Sequence, residues 1–331
     1  MSGPEAVARH TAIRYRGCMF RLAHISDVHL GPLPPVTYRQ LASKRITGYI
    51  NWQRTRSKTF HDGALGAITA DARGAAPDHI AVTGDLMNLA LAEEIAISRI
   101  WLETLGSPQD VSVVPGNHDA YVPGALRKAC QAWQPWTDGE NGWARTNENG
   151  FPYVRVRDRV AIVGVSSARA SAPFLATGSF TDEQGRRLGR ILHRAGEEGL
   201  CRVVLIHHPP VRGADPAHKR LYGIGTFQKF VRRHGAEIVL HGHTHLPTLN
   251  WIPGKGKSMV PVVGVAAAGE SLGHVKPLAQ YNLIEMDTDD DGRWRIELIR
   301  RGLVGPTGHV EQLSREELIE PAKRAVLAAT A

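Results

Sequence analysis

The 331-residue sequence predicts an α/β protein with mixed β-sheets. Three observations carry that prediction. Short runs rich in Val and Ile alternate with stretches of helical apolar spacing through the first half. The second half adds runs close enough in sequence to pair as hairpins. Many of the runs stop at Gly, Pro or His, residues that end strands and open loops.

The first strand is expected from Phe20 to Ser26, directly after Met19, a candidate alternative start beside the reading of residues 1–18 as a natural tail. Residues 1–18 lack periodicity and read as an N-terminal extension. Further strands are expected at 79–83, 110–114, 153–157, 160–165, 202–207, 237–241, 260–266, 281–286 and 294–299. The pair at 153–157 and 160–165 flanks Arg157-Asp158-Arg159 and reads as a hairpin. Apolar spacing predicts helices over about 58–73, 90–104, 181–195 and 226–234. Residues 39–58 read as a basic, aromatic insert within a main domain of 19–300. Residues 301–331 read as a C-terminal tail. Glu311, Glu316, Leu318, Ile319 and Val326 suggest a short helix over its 311–331 portion.

Composition is that of a globular protein, 42% hydrophobic and 22% charged. Net charge is +8. Residues 1–61 hold ten Lys/Arg against Glu5 and Asp27, so the whole excess lies there and residues 62–331 are neutral. A neutral body argues against a nucleic-acid coat. The three cysteines, Cys18, Cys130 and Cys201, form no CxxC, which excludes a thiolate zinc site and a disulfide framework. No apolar run approaches the roughly 20 residues that span a bilayer. A reducing, cytoplasmic setting is the expectation.

Chemistry gathers at the ends of five expected strands. These ends read Asp27-Val28-His29, Gly84-Asp85-Leu86-Met87-Asn88, Gly116-Asn117-His118-Asp119, His207-His208-Pro209-Pro210 and His241-Gly242-His243-Thr244-His245. Loops from neighbouring strands converge at carboxyl ends, where ligands bind. The donors are imidazoles, carboxylates and an amide, with no sulfur, a set suited to Mn, Fe, Co, Ni or Zn. They exceed what one zinc ion uses, so two ions sharing a carboxylate is the economical arrangement. Each residue alone has a plainer role: a core histidine, a turn, or, for Asp85, a helix cap. Five such coincidences in this order are hard to credit.

The order DxH, GDxxN, GNHD, HxP, GHxH resembles the calcineurin-like metallophosphoesterase superfamily, over residues 20–246. The resemblance implies a four-layer αββα sandwich of two mixed sheets, with a dinuclear site at one edge. It implies one metal on Asp27, His29 and His245 and a second on Asn117, His207 and His243, with Asp85 between them. His207 rather than His208 follows from the His-x-Pro spacing, and His208 is then a neighbour near the substrate. His118 is the expected proton donor, with Asp119 orienting its ring and Asn88 supporting the loop. The implied activity is hydrolysis of a phosphoric ester by water activated between two metals.

The substrate is not set by these motifs. Residues 28–61 contain no acid and six Lys/Arg, interleaved with Tyr38, Tyr49, Trp52 and Phe60. Lys44 and Arg45 are the candidate substrate contacts. This insert could hold an anionic substrate, touch a lipid surface, or be a solvated face with Tyr49 and Trp52 packed inward. Trp251, Lys255-Gly256-Lys257 and the loop with Glu270, Ser271 and His274 are candidates for an outer rim. The leading expectation is a phosphodiesterase for a small anionic diester, of the cyclic-nucleotide or glycerophosphodiester type. The alternative is a lipid-linked phosphate or pyrophosphate hydrolase at a membrane surface. A DNA nuclease and a non-catalytic scaffold rank below both.

Overall fold

A computed structural model describes residues 19–54, 62–143, 146–270, 276–305 and 308–320. The expected extension at 1–18, Ser271, His274 and residues 321–331 lie outside them.

Two six-stranded sheets organise the chain. The first contains β1 (Phe20–Ile25), β2 (His79–Val82), β3 (Val111–Val113), β12 (Gln280–Thr288), β13 (Trp294–Val304) and β14 (His309–Glu317). Its order is β14-β13-β12-β1-β2-β3. β1, β2 and β3 run parallel; β12, β13 and β14 add antiparallel. The second contains β4 (Tyr153–Arg157), β5 (Val160–Gly164), β7 (Cys201–Leu205), β9 (Ile238–His241), β10 (Leu249–Pro253) and β11 (Met259–Gly264), in the order β10-β11-β9-β7-β5-β4. A two-residue pair, β6 (Gly178–Ser179) and β8 (Leu221–Tyr222), stands apart.

Alternation along the strands builds the layers. Leu22, Ile162, Val203, Leu240 and Ile284 face one shared core between the sheets. Their neighbours Ala23 and Leu283 face α3 (Asp62–Gly74) and α4 (Ala92–Leu105) on the outside of the first sheet. Val163, Val204 and Val239 face α7 (Asp182–Glu197) and α8 (Ile224–His234) on the outside of the second. On α7, Leu188, Ile191, Leu192 and Ala195 repeat at helical spacing and are all buried. Thr181 caps that helix by accepting from Gln184 N. The result is the αββα sandwich.

Two readings need correction. The boundary expected at residue 300 falls inside β13, and residues 309–317 are a strand, not a helix. Glu-rich composition favours helix locally, but the open edge of β13 offers a ladder of backbone partners. Arg295–Glu317 and Arg315–Glu297 ion pairs then lace the new strand to β13. β10 was not expected either. It pairs with β11 from Leu249↔Val263 to Pro253↔Met259, across a sequence with no alternation strong enough to announce it. The insert holds α1 (Tyr38–Leu41) and α2 (Arg45–Arg54); α5 (Ala125–Ala132) and α6 (Gln134–Thr137) follow β3.

Candidate metal centre and its cavity

All five motif loops meet at one edge of the sandwich. The loops after β1 and β2 lie side by side through backbone bonds: Asp27 N to Gly84 O at 3.0 Å, His29 N to Asp85 O at 2.9 Å and Leu30 N to Leu86 O at 2.8 Å. The loop after β9 joins them where His243 N donates to Asp27 Oδ2 at 2.9 Å. Gly242 permits that approach, since a Cβ there would overlap Ser26 and Asp27. His118 N donates to Asp85 Oδ1 at 2.7 Å and ties in the loop after β3.

Asp27, His29, Asp85, His243 and His245 all have positive φ, between 45° and 67°. Non-glycine residues adopt this region at a cost, and it is concentrated at functional sites. The left-handed turn points each side chain back from the strand end into the common space.

Among the described residues three donor groups result: two match the expected ligand sets, and a third brings His118 to His29 and Asp85. Ligand atoms of Asp27, His29 and His245 lie within 4.8 Å of one another, as do those of Asp85, His207 and His243. Asn117 Oδ1 sits 3.3 Å from His207 Nε2, beside the second cluster. Asp85 Oδ2 lies 3.4 Å from His207 Nε2 and 3.9 Å from His29 Nε2, between the two. The backbone fixes the rings. His207 Nδ1 faces Thr83 O at 2.6 Å and His29 Nδ1 faces Met87 O at 3.1 Å. A carbonyl only accepts, so each Nδ1 carries a proton and each Nε2 is left as the nitrogen that faces inward, toward a proton or a metal ion.

This donor set fits metal ions. Asp27 Oδ1 is buried, accepts no hydrogen bond, and faces His245 Nε2 at 3.2 Å. Burial disfavours a charged His207, yet Asp85 beside it lifts its pKa to about 10, so the pocket favours a cation. Metal ions meet that preference with nitrogen and oxygen donors alone.

Other expected residues are placed differently. Asp119 does not orient His118. Its carboxylate accepts from Gly116 N, Asp85 N, Leu86 N and Met87 N at 2.8–3.2 Å, clamping two loops together. The His118 ring is held instead by Asn88 O, 2.6 Å from Nδ1, and stacks on Tyr121 at 5.4 Å. His208 is fully buried, with Ser167 Oγ 2.8 Å from Nδ1 and Ala176 O 3.2 Å from Nε2; both nitrogens are engaged, so it is not a substrate contact. Arg45 donates to Leu89 O and Ala90 O at 2.9 and 2.6 Å and is likewise turned from the cavity.

A cavity of about 580 Å³ opens over both clusters. Asp85, Asn117, His118, His243 and His245 lie at its floor side; Lys44, Arg54, Lys219 and Lys276 bring cationic groups to its lining. The insert therefore does face the donor clusters. Lys44 Nζ donates to Leu175 O at 2.8 Å and sits 4.6 Å over the Tyr121 ring. Trp52 lines the cavity, whereas Tyr49 packs on the first-sheet core. Trp251, Lys255 and Lys257 do not line it. Glu270 is buried with a carboxylate oxygen 3.9 Å from His245 Nδ1. Sequence reading missed Tyr121, Phe174 and Lys219, which no motif or spacing marks.

Comparisons with known proteins agree with this geometry. The family described as calcineurin-like phosphoesterase matches residues 20–247. No curated protein sequence matches significantly. Among solved structures, a dimetal phosphatase from Danio rerio is similar with a TM-score of 0.52 at 13% identity, over 89% of this chain and 98% of that one. A purple acid phosphatase from yellow lupin (Lupinus luteus) seeds gives 0.50 at 13% identity, over 88% of this chain and 53% of that one. At such identities the likeness speaks for the fold. The family match spans more than two thirds of the chain and covers every donor loop, so the chain belongs to the calcineurin-like phosphoesterase family of metal-dependent hydrolases.

Proposed function

We propose that the protein is a two-metal phosphodiesterase for a small anionic diester, of the cyclic-nucleotide or glycerophosphodiester type. The observation that carries this reading is the cationic cavity set directly over both donor clusters. Asp27, His29 and His245 would hold one ion, and Asn117, His207 and His243 the other, with Asp85 shared. Ions bound there supply Lewis acidity and an activated water. The chain's own groups do the rest. Lys44, Lys219 and Lys276 draw an anion into the cavity and offset its charge. His118 keeps one proton at Nδ1 on Asn88 O, so it is the doubly protonated ring that delivers its second proton, from Nε2, to the leaving oxygen and is left neutral with Nδ1–H. Neither Asp119 nor Arg45 meets substrate: Asp119 ties the loop of Asp85 to the loop of His118, and Arg45 fastens the insert that carries Lys44 to the carbonyls of Leu89 and Ala90.

A second reading has an observation of its own. Phe174 (82% exposed), Leu175 and Ile50 form an exposed apolar lip on the same cavity, and Ile46 lies one turn from Ile50 on α2. Apolar side chains gathered beside cationic ones suit an acylated phosphate substrate at a lipid surface. One experiment separates the readings. Metal-loaded enzyme is assayed on bis(p-nitrophenyl) phosphate, on cyclic nucleotides and on a diacyl phosphodiester in mixed micelles. Turnover of the soluble diesters is expected. Turnover of the acylated substrate alone transfers the assignment to the second reading, and inactivity on all three refutes both.

A further inference from the structure

The loop from Asn88 to Leu91 lies between β2 and α4 and beside His118. Its backbone N–H groups turn one way and its carbonyls the other. Asn88 N, Leu89 N and Leu91 N converge on the Glu94 carboxylate at 2.8, 3.1 and 2.9 Å. On the opposite side, Asn88 O accepts from His118 Nδ1 at 2.6 Å. Leu89 O and Ala90 O accept from Arg45. Ala90 has φ 52°, a left-handed alanine that the loop sustains only under such bracing.

Glu94 sits in the first turn of α4, where a glutamate ordinarily caps the helix by reaching one backbone N–H. Here it takes three successive-loop donors, all from a buried position. Acceptor-only oxygens match donor-only partners, so the carboxylate fixes the orientation of the 88–89 peptide. That orientation aims the Asn88 carbonyl at His118. We propose that Glu94 is a positioning residue for His118, acting through the Asn88 carbonyl to keep a proton on Nδ1 and the ring in its place, so that Nε2 is the nitrogen left to exchange the catalytic proton. The kinetic side of this rests on the proposed phosphodiesterase reading; the ring's tautomer does not.

The test uses the full chain loaded with metal and the substitution Glu94→Gln. The amide keeps the size of Glu94 but sets an NH2 against backbone N–H donors. The tautomer of His118 is read by ring ¹⁵N NMR, its signals assigned by their loss in His118→Gln. Kinetics use bis(p-nitrophenyl) phosphate across pH. The expected result is a smaller Nδ1–H fraction and a kcat roughly tenfold lower, from a misplaced proton donor. KM should stay within about twofold, metal content should hold at two ions per chain, and the alkaline limb of the kcat profile should move. A helix cap alone would lower stability without moving the tautomer or that limb. An unchanged tautomer in folded Glu94→Gln overturns the proposal, as does an effect confined to KM. If Glu94→Gln does not fold, Glu94→Asp decides, because a shorter carboxylate cannot reach all three donors; an unchanged tautomer there also overturns it. A wild-type enzyme inactive on every phosphodiester would sink the functional reading, while the NMR result would still decide the role of Glu94.

Discussion

At the scale of single residues, the site is made by backbone as much as by side chains. Five donor residues adopt left-handed φ, and Asp119 pins the loop that carries one of them, Asp85, to the loop after β3. In Asp119→Asn one acceptor oxygen becomes an NH2 facing backbone N–H groups. Stability should fall by about 2 kcal/mol in denaturant melts. Metal affinity should weaken by roughly tenfold or more, as seen when groups supporting ligands are lost. A role in orienting His118 would instead lower kcat at full metal content. The donors themselves were legible in the sequence because each follows a strand end by a few residues, and the family's order names them. Asp119 was misread because its partners, Asp85 to Met87, are brought to it only by the pairing of β2 with β3. The same holds for His208, whose neighbours Ser167 and Ala176 lie some forty residues upstream or less. Side chains that answer to distant backbone leave no local signature.

At the scale of elements, α2 is a fixed wall. Gly48 lies in its middle, and a Cβ at that position would collide with the Tyr121 hydroxyl and with Leu89. Arg45 fastens the same helix to the carbonyls of the loop beneath. Were α2 a loose flap, Gly48→Ala would stabilise it by about 1 kcal/mol through helix propensity. The close contact predicts the opposite: a lower melting temperature and a KM raised several-fold, because Lys44 and Trp52 shift with the helix. Steady-state kinetics with thermal melts distinguish the two. Strands of Val and Ile between breakers were readable because alternation survives in the sequence. β14 was not, since its exposed Glu and Arg residues fit helix and edge strand equally and only the unpaired rim of β13 decides.

At the scale of the whole molecule, the two clusters share one property. Each draws donors from both sheets: Asp27 and His29 with His245, and Asp85 with His207 and His243. The fold class was legible from the alternation of runs, yet nothing local could show that the seam between sheets runs through the site. Ions bound across that seam would fasten one half of the sandwich to the other. Binding to the native state alone stabilises by about 4 kcal/mol at a thousandfold excess over Kd. Chelation should therefore lower Tm by on the order of 10 °C, and a Tm indifferent to chelator would show that the seam holds unaided. Calorimetry then becomes a selectivity assay. Titrating the apoprotein with manganese, iron, cobalt, nickel and zinc in turn, and ordering the melting temperatures, ranks the ions by how well they bridge the halves, before any substrate is known.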